Sequence, residues 1–199
     1  MIPPADPIAV ALRVTDALDA LGVTSTVGGS IAASFAGEPR STLDIDIVAA
    51  IDQSHIDALV AALSPEFYID PESLRRAIRT KGSTNLIHQA TQYKVDLFIA
   101  GGSALDAQQL ARRQPVQIGN RTLFVHPPED ILLQKLRWYR AGGEVSDRQW
   151  RDVIAIIRTQ GSHLDRHYLL ANAPLIGAED LLTRALSETE AGAGGPRPR

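Results

Sequence analysis

The sequence predicts a mixed α/β (α+β) fold, in which helices flank a mixed sheet and a small helical region follows. Helix and strand patterns alternate over roughly residues 1–126, and only helical patterns continue over residues 127–189. The length of 199 residues suits one core with a small extension. Residues 190–199, rich in Gly and Pro, predict a disordered tail. We therefore expect three parts, with boundaries after residues 126 and 189.

The first elements predicted are a helix, a strand, a short helix and a second strand. Apolar residues recur at helical spacing over residues 8–21, and residues 23–27 have strand character. That strand runs into the turn Gly28-Gly29-Ser30, and residues 31–35 favour a short helix. Residues 43–49 alternate apolar and other side chains, which is typical of a strand with one buried face.

The middle of the chain predicts three helices, a short strand and two hairpins. Asp70-Pro71 is a strong helix start, because Asp is a favoured N-cap and Pro fits the first helical position. Gly119-Asn120 between two apolar runs indicates a tight hairpin. The remaining segments are a helix ending near residue 63, strands over 67–69, 84–88 and 93–100, and a helix over 103–113.

The last part is predicted to be helical throughout. A helix over residues 128–140 begins at a Pro pair and ends before two glycines. Ser146 and Gln149 have the spacing of a capping box, ahead of another apolar stripe. One or two further helices are expected before about residue 187.

Composition excludes several classes of function. The chain has no cysteine, so disulfides, zinc–thiolate sites and cysteine nucleophiles are ruled out. A net charge of −3 does not draw the whole chain onto nucleic acid. No signal peptide is evident, and no apolar run approaches the ~18 residues of a membrane span. We therefore expect a cytoplasmic protein without a membrane partner.

Three aspartates are the main candidates for chemistry. Asp44 and Asp46 are two residues apart in a predicted strand, so their side chains would lie on the same face, about 6.6 Å apart along the strand. Asp96 is a third acid in a strand whose other face is aliphatic. Carboxylates that cluster this closely are costly without a cation, and hard oxygen ligands suit Mg²⁺ or Mn²⁺. The alternative is an ordinary solvated strand face.

The turn Gly28-Gly29-Ser30 is a candidate phosphate site. Glycine lets a ligand approach the backbone closely, and the N-terminus of a helix offers unpaired N–H groups and a positive dipole end. The Ser30 hydroxyl would cap the helix or donate to a phosphate oxygen. The alternative is an ordinary N-cap after a tight turn.

These motifs together resemble a known superfamily. VGGSIAASFAGEPRSTLDIDIV followed by VDLFIA is similar to the glycine-serine, D-x-D and third-aspartate pattern of polymerase-β-like nucleotidyltransferases. Within that superfamily the chain most resembles small bacterial AbiEii-like proteins of the abortive-infection toxin type. PEDILLQKLRWYR and SDRQWRDV are similar to the helical segment that follows their core. Thirteen residues separate Ser30 from Asp44, more than in the shortest members.

The resemblance implies a nucleotidyltransferase fold, with residues 1–126 as catalytic core, and a metal-dependent transfer of NMP from an NTP to an acceptor hydroxyl. The acceptor would be tRNA or a protein, and the chain would act in a toxin–antitoxin or abortive-infection system with a cognate antitoxin as partner. The alternatives are a nucleotidyltransferase acting on a small antibiotic-type molecule and a non-catalytic relative that binds nucleotide or a partner.

The resemblance also implies roles for individual residues. The three aspartates would be catalytic and would hold Mg²⁺ or Mn²⁺, with Asp96 on the side of the nucleophile. The nucleotide would contact Gly28, Gly29, Ser30, Arg40, Thr42 and Lys135. Arg40 could equally be a solvated loop residue, and Lys135 a lysine that extends from a partly buried helix face. Asp152 would orient Lys135 or pair with Arg148 one turn earlier.

A basic run is the candidate acceptor surface. Residues 75–81 contain four cationic side chains, which would suit the phosphates of an RNA. A solvated helix face is the ordinary explanation. The run comprises Arg75, Arg76, Arg79 and Lys81.

Overall fold

A computed structural model describes residues 6–36 and 44–193. These residues fall into two compact units. The first contains the described residues 6–32 and 44–126, and the second contains 33–36 and 127–193. The predicted nucleotide contacts Arg40 and Thr42 lie outside the described residues.

The first unit alternates helices and strands. Its helices are α1 (Pro7–Ala20), α2 (Gly29–Ala36, whose last four residues belong to the second unit), α3 (Ile56–Leu63), α4 (Pro71–Thr80) and α5 (Ala104–Ala111). Its strands are β1 (Ser25–Val27), β2 (Asp44–Ala49), β3 (Phe67–Tyr68), β4 (Ser83–His88), β5 (Lys94–Ile99), β6 (Gln114–Ile118) and β7 (Arg121–Val125).

The strands form one mixed sheet in the order β3-β4-β5-β2-β1-β7-β6. β2 lies parallel to β5 and β1 lies parallel to β7, whereas the other neighbours are antiparallel. Mixed sheets of this kind are common when helices separate the strands along the chain. The predicted mixed α/β sheet flanked by helices is therefore confirmed.

The core of the first unit lies on one face of the sheet. Alternate residues of the two central strands are fully buried, as the period of two requires. α1 contacts β1, β2 and β7, α4 contacts β4 and β5, and α3 contacts both helices. The buried positions of the central strands are Ile45, Ile47, Ala49, Val95, Leu97 and Ile99. The opposite face keeps the side chains between them partly accessible.

Local signals in the sequence explain two boundaries in this unit. The Asp70 carboxylate accepts from the backbone N–H groups of Glu72 and Ser73, which caps α4 as predicted. Gly119 has φ of +62° in the turn that joins β6 and β7, a conformation that glycine adopts without steric cost. Both boundaries follow from residues close in sequence, the first from a side-chain cap and the second from the backbone freedom of glycine.

The second unit contains four longer helices, α6 (Pro128–Ala141), α7 (Asp147–Gln160), α8 (Arg166–Asn172) and α9 (Glu179–Ala193). α6 packs on α7 and α8, and α9 packs on α7 and α8. The Ser146 hydroxyl accepts from the backbone N–H of Gln149, so the predicted cap of α7 is present. Their shared core includes Leu132, Leu136, Val153, Ile157, Leu169 and Leu182.

The end of α9 differs from the sequence prediction. Residues 190–193, assigned to the tail, are helical, because Glu and Ala are good helix formers that extend the preceding turns. Residues 194–199 lie outside the described part. Within that part, the helices are too short or too polar to cross a membrane.

Candidate functional site

Asp44, Asp46 and Asp96 lie on the same face of the sheet. The parallel register of β2 and β5 places Asp46 directly beside Asp96, on strands about 4.8 Å apart. Asp44 lies two residues before Asp46 and therefore points to the same side. The residues between them point into the core. Two strands far apart in sequence thus bring the three predicted carboxylates onto one partly exposed surface.

The glycine turn lies against Asp46. The Gly28 N–H donates to the Asp46 carbonyl oxygen at 2.8 Å, and Gly29 has φ of +54°. A Cβ atom at Gly29 would lie 1.6 Å from Asp46 Oδ2 and 2.5 Å from its Cγ. A side chain here would adopt an unfavourable positive φ and would displace the Asp46 carboxylate, so both conformation and space favour glycine. Ser30 follows as the second residue of α2 and is half-buried.

Lys94 also belongs to this face, and the sequence analysis did not single it out. Lys94 lies beside Asp44 in the register and two residues before Asp96. Its Nζ is 2.9 Å from Asp96 Oδ2 and 3.4 Å from Asp44 Oδ1. The side chains are 39% exposed for Lys94, 19% for Asp96 and 60% for Asp44. A lysine two residues before a candidate aspartate in a strand is the signal that would have identified it.

The carboxylates raise the pKa of Lys94 above its ordinary value. The largest cause is the hydrogen bond to Asp96, burial opposes it, and the charges of Asp96 and Asp44 add to it. The ammonium is therefore charged throughout the physiological range and partly neutralises both acids.

The donor chemistry of this face suits a divalent cation. Asp44, Asp46 and Asp96 offer hard carboxylate oxygens, the ligands that Mg²⁺ and Mn²⁺ prefer. Gly29 leaves the Asp46 carboxylate the room that a side chain would take. Among the described residues, no three His, Cys, Asp or Glu side chains are already grouped closely enough to hold one ion. The residues therefore fit such an ion by the chemistry of their oxygens and by their position on adjacent strands.

Asn85 is a second residue that the sequence analysis missed. It lies opposite Asp96 in the antiparallel register of β4 and β5, and it is exposed. Its amide therefore faces the same side of the sheet as the carboxylates. An isolated Asn in a strand carries no sequence signal, and only the pairing of β4 with β5 reveals its position.

Lys135 and Asp152 form an ion pair within the second unit. Lys135 Nζ is 2.7 Å from Asp152 Oδ2, and the side chains are 7% and 18% exposed. Asp152 therefore makes the contact with Lys135 that the first of its two predicted roles requires. The contact of Lys135 with nucleotide stays a prediction.

The four cations of the basic run on α4 differ in whether acidic side chains already pair with them. Arg75 pairs with Glu72 at 2.6 Å and with Asp57 at 3.2 Å, so its charge is already compensated. Arg76 and Arg79 are exposed, and Lys81 is exposed at the left-handed C-cap of the helix. Three of the four cations therefore face solvent, and their contact with an acceptor stays a prediction.

His126 is a buried histidine directly after β7. It is 2% exposed, and among the described residues its Nδ1 has no hydrogen-bond partner. Burial lowers its pKa from 6.5 to about 4. The ring is therefore neutral at physiological pH, which agrees with a structural role.

Comparison with known proteins identifies the fold. No protein-family model and no curated protein matches the chain. The solution structure of the antibiotic-resistance factor ANT(2'')-Ia is similar, with 13% identity, a TM-score of 0.53, and coverage of 90% of this chain and 98% of that one. Lincomycin-bound LnuA, a lincosamide antibiotic adenylyltransferase, has 12% identity, a TM-score of 0.50 and coverage of 76% and 96%. At these identities the likeness is one of fold, and it confirms the nucleotidyltransferase fold that the sequence resemblance implies.

Proposed function

We propose that this chain is a metal-dependent nucleotidyltransferase that moves an NMP group from an NTP to an acceptor hydroxyl. The observation that carries the proposal is the meeting of Asp44, Asp46 and Asp96 on one face, with the Gly28–Gly29 turn against Asp46. Three acids on one strand face repel one another, and a structural face gains nothing from placing them beside a turn that favours glycine. The nucleotidyltransferase fold supports the same reading.

Each residue has a role in the proposal. Asp44, Asp46 and Asp96 hold Mg²⁺ or Mn²⁺, which when bound neutralises charge on the triphosphate. The backbone N–H groups at the start of α2, together with the Ser30 hydroxyl, bind phosphate oxygens. Asp96 lies beside Asp46 on the neighbouring strand and, as the sequence resemblance implies, accepts the proton of the acceptor hydroxyl.

The reaction balances without another reactant. The acceptor oxygen forms a bond to the α-phosphorus, and the bond from that phosphorus to the bridging oxygen of the β-phosphate breaks. The acceptor loses one proton, and pyrophosphate leaves. Arg40 and Thr42 are proposed as further nucleotide contacts because they are close to the acids in the sequence, and Lys135 is proposed on the strength of the sequence resemblance.

An RNA or protein acceptor is the reading that the abortive-infection resemblance favours, with a role in a toxin–antitoxin system. The exposed cations Arg76, Arg79 and Lys81 supply a surface for phosphates, consistent with an RNA. A small hydroxylated molecule is the alternative acceptor, because LnuA is an antibiotic adenylyltransferase of the same fold.

The test incubates the purified chain with each α-labelled NTP, Mg²⁺ and a total cell extract, and then resolves RNA, protein and small molecules. We expect label in one fraction, and loss of at least 100-fold in Asp44→Ala, roughly the effect of removing a charge-stabilising group from an active site. Asp57→Ala is the matched control, because Asp57 is a highly exposed aspartate on α3. Equal labelling by wild type and Asp44→Ala would refute the site.

A further inference from the structure

We propose that Lys94 is a positioning residue that serves as a built-in counter-ion for the carboxylate face. Its ammonium holds Asp96 and Asp44 before a divalent ion arrives, and it competes with that ion for the same oxygens. This inference rests on the proposed function, because it concerns how the proposed metal site is held and filled.

The first argument is geometric. The parallel register places Lys94 beside Asp44 on the neighbouring strand, and Asp96 follows two residues later on the same face. One ammonium therefore reaches a carboxylate on each strand, at 2.9 Å for Asp96 and 3.4 Å for Asp44. The contact joins the two strands that carry the proposed ligands.

The second argument is electrostatic. Carboxylates on adjacent strands repel one another unless a cation lies among them. Lys94 supplies one positive charge to this face in the absence of metal. A divalent ion bound to the same oxygens would lie close to that ammonium and be repelled by it. Ion binding and the Lys94 contact therefore oppose each other.

The third argument concerns the side chain itself. Lysine carries its charge on a flexible four-carbon stem, and the Lys94 side chain is 39% exposed. The ammonium has a route to solvent when it is displaced. The contact therefore reduces the repulsion between the carboxylates when no metal is bound, and the ammonium can move into solvent when a metal ion binds them.

Arg75 offers a matched comparison within the same unit. It also bridges two carboxylates, those of Glu72 and Asp57, but on the exposed surface of α4 and α3. Replacing Arg75 with methionine removes a bridging cation without touching the carboxylate face. It therefore separates a local effect of Lys94 from a general change in net charge.

The experiment measures Mn²⁺ affinity without nucleotide, from the electron paramagnetic resonance signal of free Mn²⁺ at fixed, low ionic strength. The proteins are wild type, Lys94→Met, Lys94→Arg, Arg75→Met, Asp44→Asn and the double variant Lys94→Met/Asp44→Asn. We expect Lys94→Met to bind Mn²⁺ about tenfold more tightly than wild type, which corresponds to the loss of one nearby like charge. Lys94→Arg should stay close to wild type, and Arg75→Met should not tighten binding.

Thermal unfolding in EDTA supplies a second readout. In EDTA, Lys94→Met should unfold at a lower temperature than wild type, and in Mn²⁺ without EDTA its unfolding temperature should rise more than that of wild type. If Lys94 had only a structural role, Lys94→Met would unfold at a lower temperature but would bind Mn²⁺ with unchanged affinity.

The outcomes separate this inference from the proposed function. If Mn²⁺ binding to wild type is lost in Asp44→Asn but Lys94→Met binds no more tightly, the metal site stands and the role of Lys94 is refuted. If neither wild type nor Lys94→Met shows binding that depends on Asp44, both the proposed metal site and this inference fail. Tight binding in Lys94→Met that Asp44→Asn abolishes supports both.

Discussion

Gly29 is the most constrained residue of the candidate site. Its φ of +54° is unfavourable for any residue with a side chain, and a Cβ atom here would displace the Asp46 carboxylate. The sequence indicated the glycine turn and the aspartate separately, because each belongs to a local motif. Their contact depends on the pairing of β1 with β2, which a single sequence does not specify.

Replacing Gly29 with alanine tests this contact. We expect Gly29→Ala to lose roughly 1–2 kcal/mol of unfolding free energy from the positive φ, and to push the Asp46 carboxylate out of place. Metal-dependent nucleotide binding, measured by calorimetry, should therefore be lost. Gly22→Ala is the control, because Gly22 has φ of +71° with no atom near its absent side chain. Equal nucleotide binding in both variants would contradict the role of the Gly29–Asp46 contact.

Some residues of the candidate site can be predicted from the sequence, and others cannot. Asp44, Asp46 and Asp96 were found because acids are unusual in strands with aliphatic neighbours. Lys94 and Asn85 were missed, because a lone Lys or Asn in a strand has many ordinary explanations. Their proximity to Asp96 comes from spacing within β5 and from the antiparallel register with β4.

At the level of elements, periodicity and capping predicted most helices and strands. The α6 helix was predicted within one residue at each end, and the start of α7 was predicted from its capping residues Ser146 and Gln149. The ends of short edge strands are harder to predict, because a strand of two residues such as β3 has too little alternation to define them. The order of strands in the sheet was not predicted, because β2 pairs with β5 across two helices and two other strands.

The N-cap of α4 allows a test of one element. Asp70 accepts two backbone N–H groups and the Ser73 hydroxyl. We expect Asp70→Ala to lower the free energy of unfolding by about 1 kcal/mol, measured by urea denaturation, because those donors lose their acceptor. Asp70→Ser keeps a capping oxygen, so its free energy of unfolding should fall by only a few tenths of a kcal/mol. An unchanged Asp70→Ala would show that the cap does not stabilise α4.

For the whole molecule, His126 predicts how stability depends on pH. The folded chain keeps this ring neutral down to about pH 4, whereas the unfolded chain protonates it near 6.5. Between these values the unfolded state binds the extra proton, so stability falls as the pH falls. We expect a loss of roughly 3 kcal/mol from this residue, measured by denaturation from pH 7.5 to 4.

A leucine substitution isolates that contribution. His126→Leu removes the titrating group from a buried position, so its stability should fall less steeply over the same pH range. The other acids and histidines titrate in both proteins and cancel in the comparison. Parallel stability curves for wild type and variant would contradict the burial argument.

The central claim is that Asp44, Asp46 and Asp96 form a metal-dependent nucleotide site. The most direct measurement is calorimetric titration of each NTP into the chain with Mg²⁺ or with EDTA, because it does not require the acceptor. We predict binding of at least one NTP in Mg²⁺, none in EDTA, and loss of binding in Asp46→Asn. Binding that is equal in EDTA, or that survives in Asp46→Asn, would contradict the claim.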